Sequence, residues 1–224
     1  MTDATRPVVA AFDLDGTLTK DGSVFRWLRR IAGNLRVYWS AAVRSPALAW
    51  AALRSGASAD RVKEHIFHAT LAGREESVVK EASRAFALDH LAERGRDDVI
   101  ERLRGHLKDG HRVVLVSASP ELYVDVVAQA LGAHGAVATR LAVDPLGRLT
   151  GGYLGRNCRG EEKLRRLELW IADQQLGDHV ELHAYGNSRG DRRMLAHADV
   201  AVDCGRLGRI GALRRYTRLK KLDQ

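Results

Sequence analysis

The 224-residue chain has only two cysteines, Cys158 and Cys204, which lie far apart and form no CxxC pair. That argues against a disulfide framework and reads as two reduced thiols in a reducing compartment. Long apolar runs are also missing. The most membrane-like stretch, 37–53, is interrupted by Arg44 and Pro46, whereas a spanning helix needs about 20 mostly apolar residues. No secretory signal is legible either, because Asp3 and Arg6 precede a short apolar run that ends at Asp13. The chain therefore reads as cytoplasmic. Internal repeats and low-complexity segments are absent. Nine histidines are scattered, and His65 and His68 could share a helix face. No carboxylate or cysteine completes a metal site around them.

What is present is a globular composition, 45% hydrophobic and 29% charged. The length fits one large domain or a core with an inserted module. A formal net charge of +8 favours an anionic partner: nucleic acid, an acidic membrane surface or a phosphorylated substrate. Arg206, Arg209, Arg214, Arg215, Arg218, Lys220 and Lys221 crowd the C-terminal segment. Such a run reads as a solvated face or as a hold on acidic lipid. Only Tyr216 offers a stacking ring there, which argues against nucleic acid.

Val8–Phe12 reads as a buried strand, followed by Val113–Val116, a weaker run at Val180–Tyr185, and Ala198–Val202. Helical stretches separate them at Asp97–Lys108, Pro120–Leu131, Glu161–Gln175 and Asp191–His197. That alternation predicts an α/β core with a parallel sheet covered on both faces. Residues 20–96 break the rhythm with Ala, Leu, Val and Arg at helical spacing, so they read as an all-helical insertion after the first strand. The core is then 1–19 and 97–224. Asp144-Pro145-Leu146-Gly147 predicts a β-hairpin turn.

Each buried strand ends on a polar residue that a core would not choose. The first ends at Asp13, with Asp15, Gly16 and Thr17 following; the second at Ser117; the third at Gly186-Asn187-Ser188, with Asp191 just beyond. In an open parallel sheet, ligands bind beyond the carboxyl ends of the strands, so these groups should converge. Paired carboxylates at such an end can hold a cation, act as nucleophile and acid, or cap a turn.

In order and strand context, Asp13-Leu-Asp15-Gly-Thr17, then Ser117, Lys163 and Gly186-Asn187-Ser188-Arg189-Gly190-Asp191 resemble the four motifs of the haloacid dehalogenase (HAD) superfamily. The likeness covers nearly the whole chain, and a helical insertion after the first motif resembles the cap of the phosphoserine-phosphatase-like branch, subfamily IB. The resemblance implies a Rossmann-like three-layer core and a magnesium-dependent phosphatase working through an aspartyl-phosphate. Asp13 would be the nucleophile, Asp15 the general acid and base, and Thr17, Ser117 and Lys163 the phosphate-binding groups. Magnesium would sit among Asp13, Asp15, Asn187 and Asp191. Asn187 stands where the family usually has an aspartate, which removes one negative charge from the metal site while leaving an amide oxygen to ligate.

The branch also carries a glutamate shortly after the first motif that pairs with the substrate's amino group. Here Thr19-Lys20-Asp21-Gly22-Ser23 has no Glu. The substrate class therefore widens from phosphoserine to a small-metabolite or lipid phosphate monoester. In the insertion, Phe25, Trp27, Tyr38, Trp39 and Trp50 alternate with Arg26, Arg29, Arg30, Arg36, Arg44 and Arg54. That pattern fits a helical core with a basic solvent face. It also fits peripheral contact with an anionic membrane and a lysophospholipid-type substrate. The rival from another class is a membrane- or nucleic-acid-binding protein with an inactive phosphatase core, favoured by Asn187 alone.

Overall fold

A computed structural model describes residues 6–33, 56–177, 179–205 and 217–218. The apolar stretch 37–53, the aromatic and arginine side chains between 34 and 55, and the side chains of the basic C-terminal run lie outside the described residues. In chain order the elements are β1 (Val8–Phe12), α1 (Val24–Ala32), α2 (Gly56–Leu71), α3 (Glu76–Arg94), α4 (Asp97–Lys108), β2 (Arg112–Pro120) and α5 (Glu121–Ala130). There follow β3 (Gly135–Thr139), β4 (Leu141–Val143), β5 (Leu149–Tyr153), α6 (Glu161–Asp173), β6 (Glu181–Gly186), α7 (Arg192–His197), β7 (Val200–Asp203) and β8 (Thr217–Arg218).

The main sheet is parallel throughout, in the order β3-β2-β1-β6-β7-β8. Its central strands are apolar on both faces, as burial between two helical layers requires. Successive side chains of a strand point to opposite faces. Val9 and Ala11 accordingly join Val114 and Val116 in one core cluster with Leu167 and Met194. Ala10 and Phe12 join Val113 and Leu115 in the other, with Leu103 and Tyr123. Phe12 stacks on Tyr185 at 4.2 Å between ring centroids, tying β1 to β6. From β1 the chain builds outward through β2 and β3, then crosses to β6 on the other side of β1. The carboxyl end of β1 is therefore the topological switch point, where such sheets bind ligands.

Asp144 folds the turn of the β4–β5 hairpin, its carboxylate accepting from the backbone N–H groups of Leu146 and Arg148, both at 2.9 Å. The helices between β1 and β2 share the core: Trp27 is fully buried against Phe67 and Tyr123, and its Nε1–H donates to Ser83 Oγ at 2.8 Å. Trp27 thus belongs to the helical core rather than to an interfacial surface, while Phe25 stays 56% exposed. No helix among the described residues is long and apolar enough to cross a membrane.

A histidine cluster lies between α4 and β6. His106 Nδ1 meets His111 Nδ1 at 2.8 Å, its Nε2 meets Tyr185 Oη at 2.8 Å, and the His183 ring packs edge-on 5.2 Å away. Burial, then the positive neighbours His183, His111 and Arg102, against a smaller pull from Asp109, press the His106 imidazole down to about 4. A histidine that binds its proton less readily when folded gives stability that is complete above the unfolded value of 6.5 and is lost as pH falls toward 4. Between pH 6.5 and 4 the wild type should therefore lose more thermal stability than His106→Gln, by about 4 °C. Parallel pH profiles of the two melting temperatures would refute this.

Candidate active site

β1 delivers Asp13 to the switch point, and a tight turn over Leu14–Leu18 folds back beneath it. The turn closes through Thr19 N–H donating to the Leu14 carbonyl at 2.9 Å. Gly16 sits at φ +82°, a conformation that favours glycine. Space demands it too, because a Cβ there would stand 2.0 Å from Asn187 Nδ2. The first and fourth motifs are thus in contact across the site.

Asp13 is buried, with one carboxylate oxygen on Lys163 Nζ at 2.8 Å and the other accepting from Thr17 Oγ1 at 3.0 Å. Lys163, in the first turn of α6, is itself buried and also reaches Asp191 Oδ1 at 2.5 Å. The second Asp191 oxygen accepts from Ser188 Oγ at 2.6 Å and from the backbone N–H groups of Ser188 and Asn187 at 2.9 and 3.2 Å. Asp191 therefore shapes the 186–191 loop and holds the lysine, with both its oxygens engaged by the protein.

Charge follows from this geometry. Burial, with the negative charge of Asp191 added, lifts the Asp13 carboxyl to about 7 against the pull of Lys163. Burial also works against ionised Asp191, but Lys163 and the Ser188 donors outweigh it and hold that carboxyl below its usual range. For Lys163, burial is overcome by the two carboxylates, which keep the ammonium protonated well above its ordinary value. The resting arrangement is one fixed cation between one firmly ionised carboxylate and one reluctant one.

Ser117, at the end of the buried run of β2, accepts from Ser119 N–H at 3.1 Å, so its own proton remains to be donated. Asp15 is placed differently from Asp13. Its Oδ1 accepts from Ser23 N–H at 2.6 Å and its Oδ2 from Ser119 Oγ. Asp13, Thr17, Lys163, Asp191 and Asn187 are brought together, with Ser117 and Asp15 at the same end of the sheet. Sequence reasoning missed Arg96. Its Nη1 donates to the Gly16 carbonyl at 3.1 Å and the Cys204 carbonyl at 2.7 Å, and its guanidinium is paired with Asp98. Its position two residues after a helix end carried no signal. Cys158 and Cys204 are both buried free thiols, and burial pushes them up to about 11 and 12. Cys158 packs in the core against the Val137 carbonyl.

Among the described residues no three His, Cys, Asp or Glu side chains are grouped to hold a metal. The oxygens present nevertheless suit a hard cation: Asn187 Oδ1 is buried without a hydrogen-bond partner beside a turn whose glycine leaves it room. A buried polar atom of this kind calls for an unseen partner, and carboxylate, amide and carbonyl oxygens are the ligands magnesium takes. The residues fit that ion.

Comparison with known proteins bears on the same residues. A family model described as haloacid dehalogenase-like hydrolase matches residues 10–196. Protein CicA of Caulobacter vibrioides is 36% identical over 194 residues, covering 86% of this chain and 84% of that protein. A probable phosphatase of Mycobacterium tuberculosis is 30% identical over 197 residues, covering 85% of this chain and 67% of that one. Among solved structures, a Bordetella pertussis Tohama I protein of unknown function has a TM-score of 0.81 at 24% identity, covering 97% of this chain and 100% of that chain. An apo phosphoserine phosphatase has a TM-score of 0.65 at 17% identity, covering 96% of this chain and 94% of that chain. At these identities the two solved structures share the fold.

Proposed function

The chain belongs to the haloacid dehalogenase-like hydrolase family and is a hydrolase of phosphoric monoesters; we propose that it works with magnesium, through an aspartyl-phosphate on Asp13, on a small-metabolite or lipid phosphate. The observation that carries this reading is the setting of Asp13: buried at the carboxyl end of β1, with Lys163 on one oxygen and Thr17 on the other. A carboxylate so placed has its direction fixed in advance, and the lysine beside it favours the charged form that attacks.

Magnesium would be held among Asp13, Asp15 and Asn187 Oδ1, with Asp191 steadying the loop behind Asn187. When bound it offsets the repulsion between the nucleophile and an anionic phosphate. Thr17 and Ser117 donate hydroxyl protons to phosphoryl oxygens, and Lys163 supplies positive charge as negative charge spreads over them. Asp13 attacks phosphorus while Asp15 gives a proton to the departing alkoxide. Asp15 then takes a proton from the water that attacks the aspartyl-phosphate, which releases inorganic phosphate and restores Asp13. Residues 20–96 act as a cap over the core of 1–19 and 97–224, excluding water from the intermediate and selecting the leaving group.

Phosphoserine is a weaker candidate than a plain phosphate monoester. Asp21, the acidic residue nearest the place of the branch's glutamate, is engaged by Arg94 and lies 3.6 Å from Arg26. Exposed Phe25 beside Arg26, Arg29 and Arg30 supports a lipid phosphate met at an anionic membrane surface. Phosphate release with magnesium should be followed over phosphoserine, histidinol phosphate, sugar phosphates, lysophosphatidate and phosphatidylglycerol phosphate, the lipids presented in anionic vesicles. Turnover of at least one ester, abolished by EDTA, is expected. Silence on all of them would move the inactive binding-protein reading to the front.

A further inference from the structure

Ser23 immediately precedes α1, where a serine side chain ordinarily caps the helix by accepting from a backbone N–H one turn on. It makes no such cap. Its hydroxyl instead points into the core, 2.7 Å from Tyr123 Oη and 3.4 Å from Ser119 Oγ. Ser119 Oγ in turn reaches Asp15 Oδ2. Ser23, Ser119 and Tyr123 are all buried, and they come from the start of the insert, the end of β2 and the first turn of α5. Only Asp15 at the end of the chain is partly exposed.

Counting protons gives this array a direction. The ionised Asp15 carboxylate only accepts, so the single hydroxyl proton of Ser119 goes to it; the protonated acid keeps acceptor capacity for the same bond while its own proton is given to the leaving group. Ser119 Oγ can then only accept, from Ser23 at 3.4 Å. Ser23 has then used its proton and must accept from Tyr123 at 2.7 Å. Every hydroxyl proton in the array therefore points toward Asp15. Ser23 adds a second hold, its backbone N–H donating to Asp15 Oδ1 at 2.6 Å.

We propose that Tyr123, Ser119 and Ser23 are positioning residues that lock the Asp15 carboxylate in the orientation needed for proton transfer to the leaving group, and that they tie that orientation to the seating of the insert. The inference rests on the hydrolase reading above, in which Asp15 is the acid. Its structural content is that one residue, Ser23, holds both oxygens of Asp15, directly through its N–H and indirectly through Ser119. A displacement of α1 would release Oδ1 and leave Oδ2 held by Ser119 without the support of Ser23, so the orientation is complete only when the insert is seated.

Leaving-group chemistry distinguishes this role from simple packing. An alkyl phosphate needs a proton on its departing oxygen, whereas p-nitrophenolate leaves without one. Tyr123→Phe keeps the buried ring and removes the terminal donor. Its kcat/KM on an alkyl phosphate such as glycerol phosphate, which reports the transfer to Asp13 and not the later hydrolysis common to both esters, should fall about 10- to 100-fold, with about threefold or less on p-nitrophenyl phosphate. Ser119→Ala, which disturbs less volume, should show the same split, and thermal melts of both variants verify folding. Equal losses on the two esters, or no loss on either, would overturn the positioning role while leaving the hydrolase reading intact. A wild type inactive on every ester with magnesium would overturn both.

Discussion

Asp13→Asn is expected to abolish turnover, by about 10⁴-fold or more, and at the same time to stabilise the metal-free protein above pH 7. The first effect follows from removing the proposed nucleophile. The second follows from the charge balance around it. Burial and Asp191 lift the folded-state pKa of Asp13 to about 7 from an ordinary 3.8. A carboxyl that holds its proton more tightly when folded than when unfolded loses stability as pH rises from 3.8 through 7, and the whole deficit is present above 7. Asparagine has the same shape, can accept from Lys163 through its oxygen while its amide N–H donates to Thr17 Oγ1, and never ionises. At pH 8 the variant should gain about 2–4 kcal/mol, and at pH 4 the gain should vanish. Magnesium should raise the melting temperature of the wild type and leave that of the variant nearly unchanged, because a cation relieves the strain of an ionised Asp13. A variant less stable than wild type at pH 8, or one that still releases phosphate at a wild-type rate, would refute this account.

Lys163→Met should be damaging for stability and for activity together. The ammonium lies 2.8 Å from Asp13 and 2.5 Å from Asp191, and all three groups are buried. Removing one member of such a set leaves buried charge without compensation, which costs about 3–5 kcal/mol. Methionine fills most of the volume, so the loss reports charge rather than a cavity. Without the lysine both carboxylates hold their protons more tightly when folded, so the deficit should be largest near pH 8 and shrink toward pH 5. On the proposed mechanism turnover should fall about 10³-fold or more, because the fixed positive charge offered to the phosphoryl oxygens is gone. Urea unfolding at pH 8 and pH 5 with matched phosphate-release assays measures both. A variant that unfolds like wild type at pH 8 would mean that the lysine is not the partner of this carboxylate pair.

The core strands were legible because they are short, almost wholly apolar runs closed by a polar residue. Val8–Phe12 ends one residue before Asp13, and Asp97–Lys108 is helical over the span its periodicity marked. β3 was not legible. Its sequence, Gly-Ala-Val-Ala-Thr, is mostly glycine and alanine and has no aromatic ring, and it forms a strand because β2 offers it an open edge. Lys163 lies in a charged helix turn that reads as solvated, and only its likeness to a family motif singled it out. The structure buries it because two carboxylates converge there from β1 and from the loop after β6. Ser23, Ser119 and Tyr123 had no signal at all. The separations along the chain are 96 residues between Ser23 and Ser119 and 100 between Ser23 and Tyr123, so only the folded chain makes them neighbours. Trp27 was legible in two ways, as part of a helical core or as an interfacial ring beside arginines, and its ring fills the core.

The two cysteines acquire a use from where they are buried. Cys158 lies five residues before Lys163, and Cys204 closes β7 and lends its carbonyl to Arg96, which also holds the Gly16 turn. With thiols pushed up to about 11 and 12, neither sulfur reacts while its surroundings stay shut, because the thiolate is the reactive species. Each is therefore a silent clock on one wall of the site. The pace at which an alkylating reagent consumes Cys158 counts openings of the lysine-bearing wall, and consumption of Cys204 counts openings of the wall that carries the Leu14–Leu18 turn. Two numbers from one mass spectrum thus say whether the halves of the site breathe together or apart.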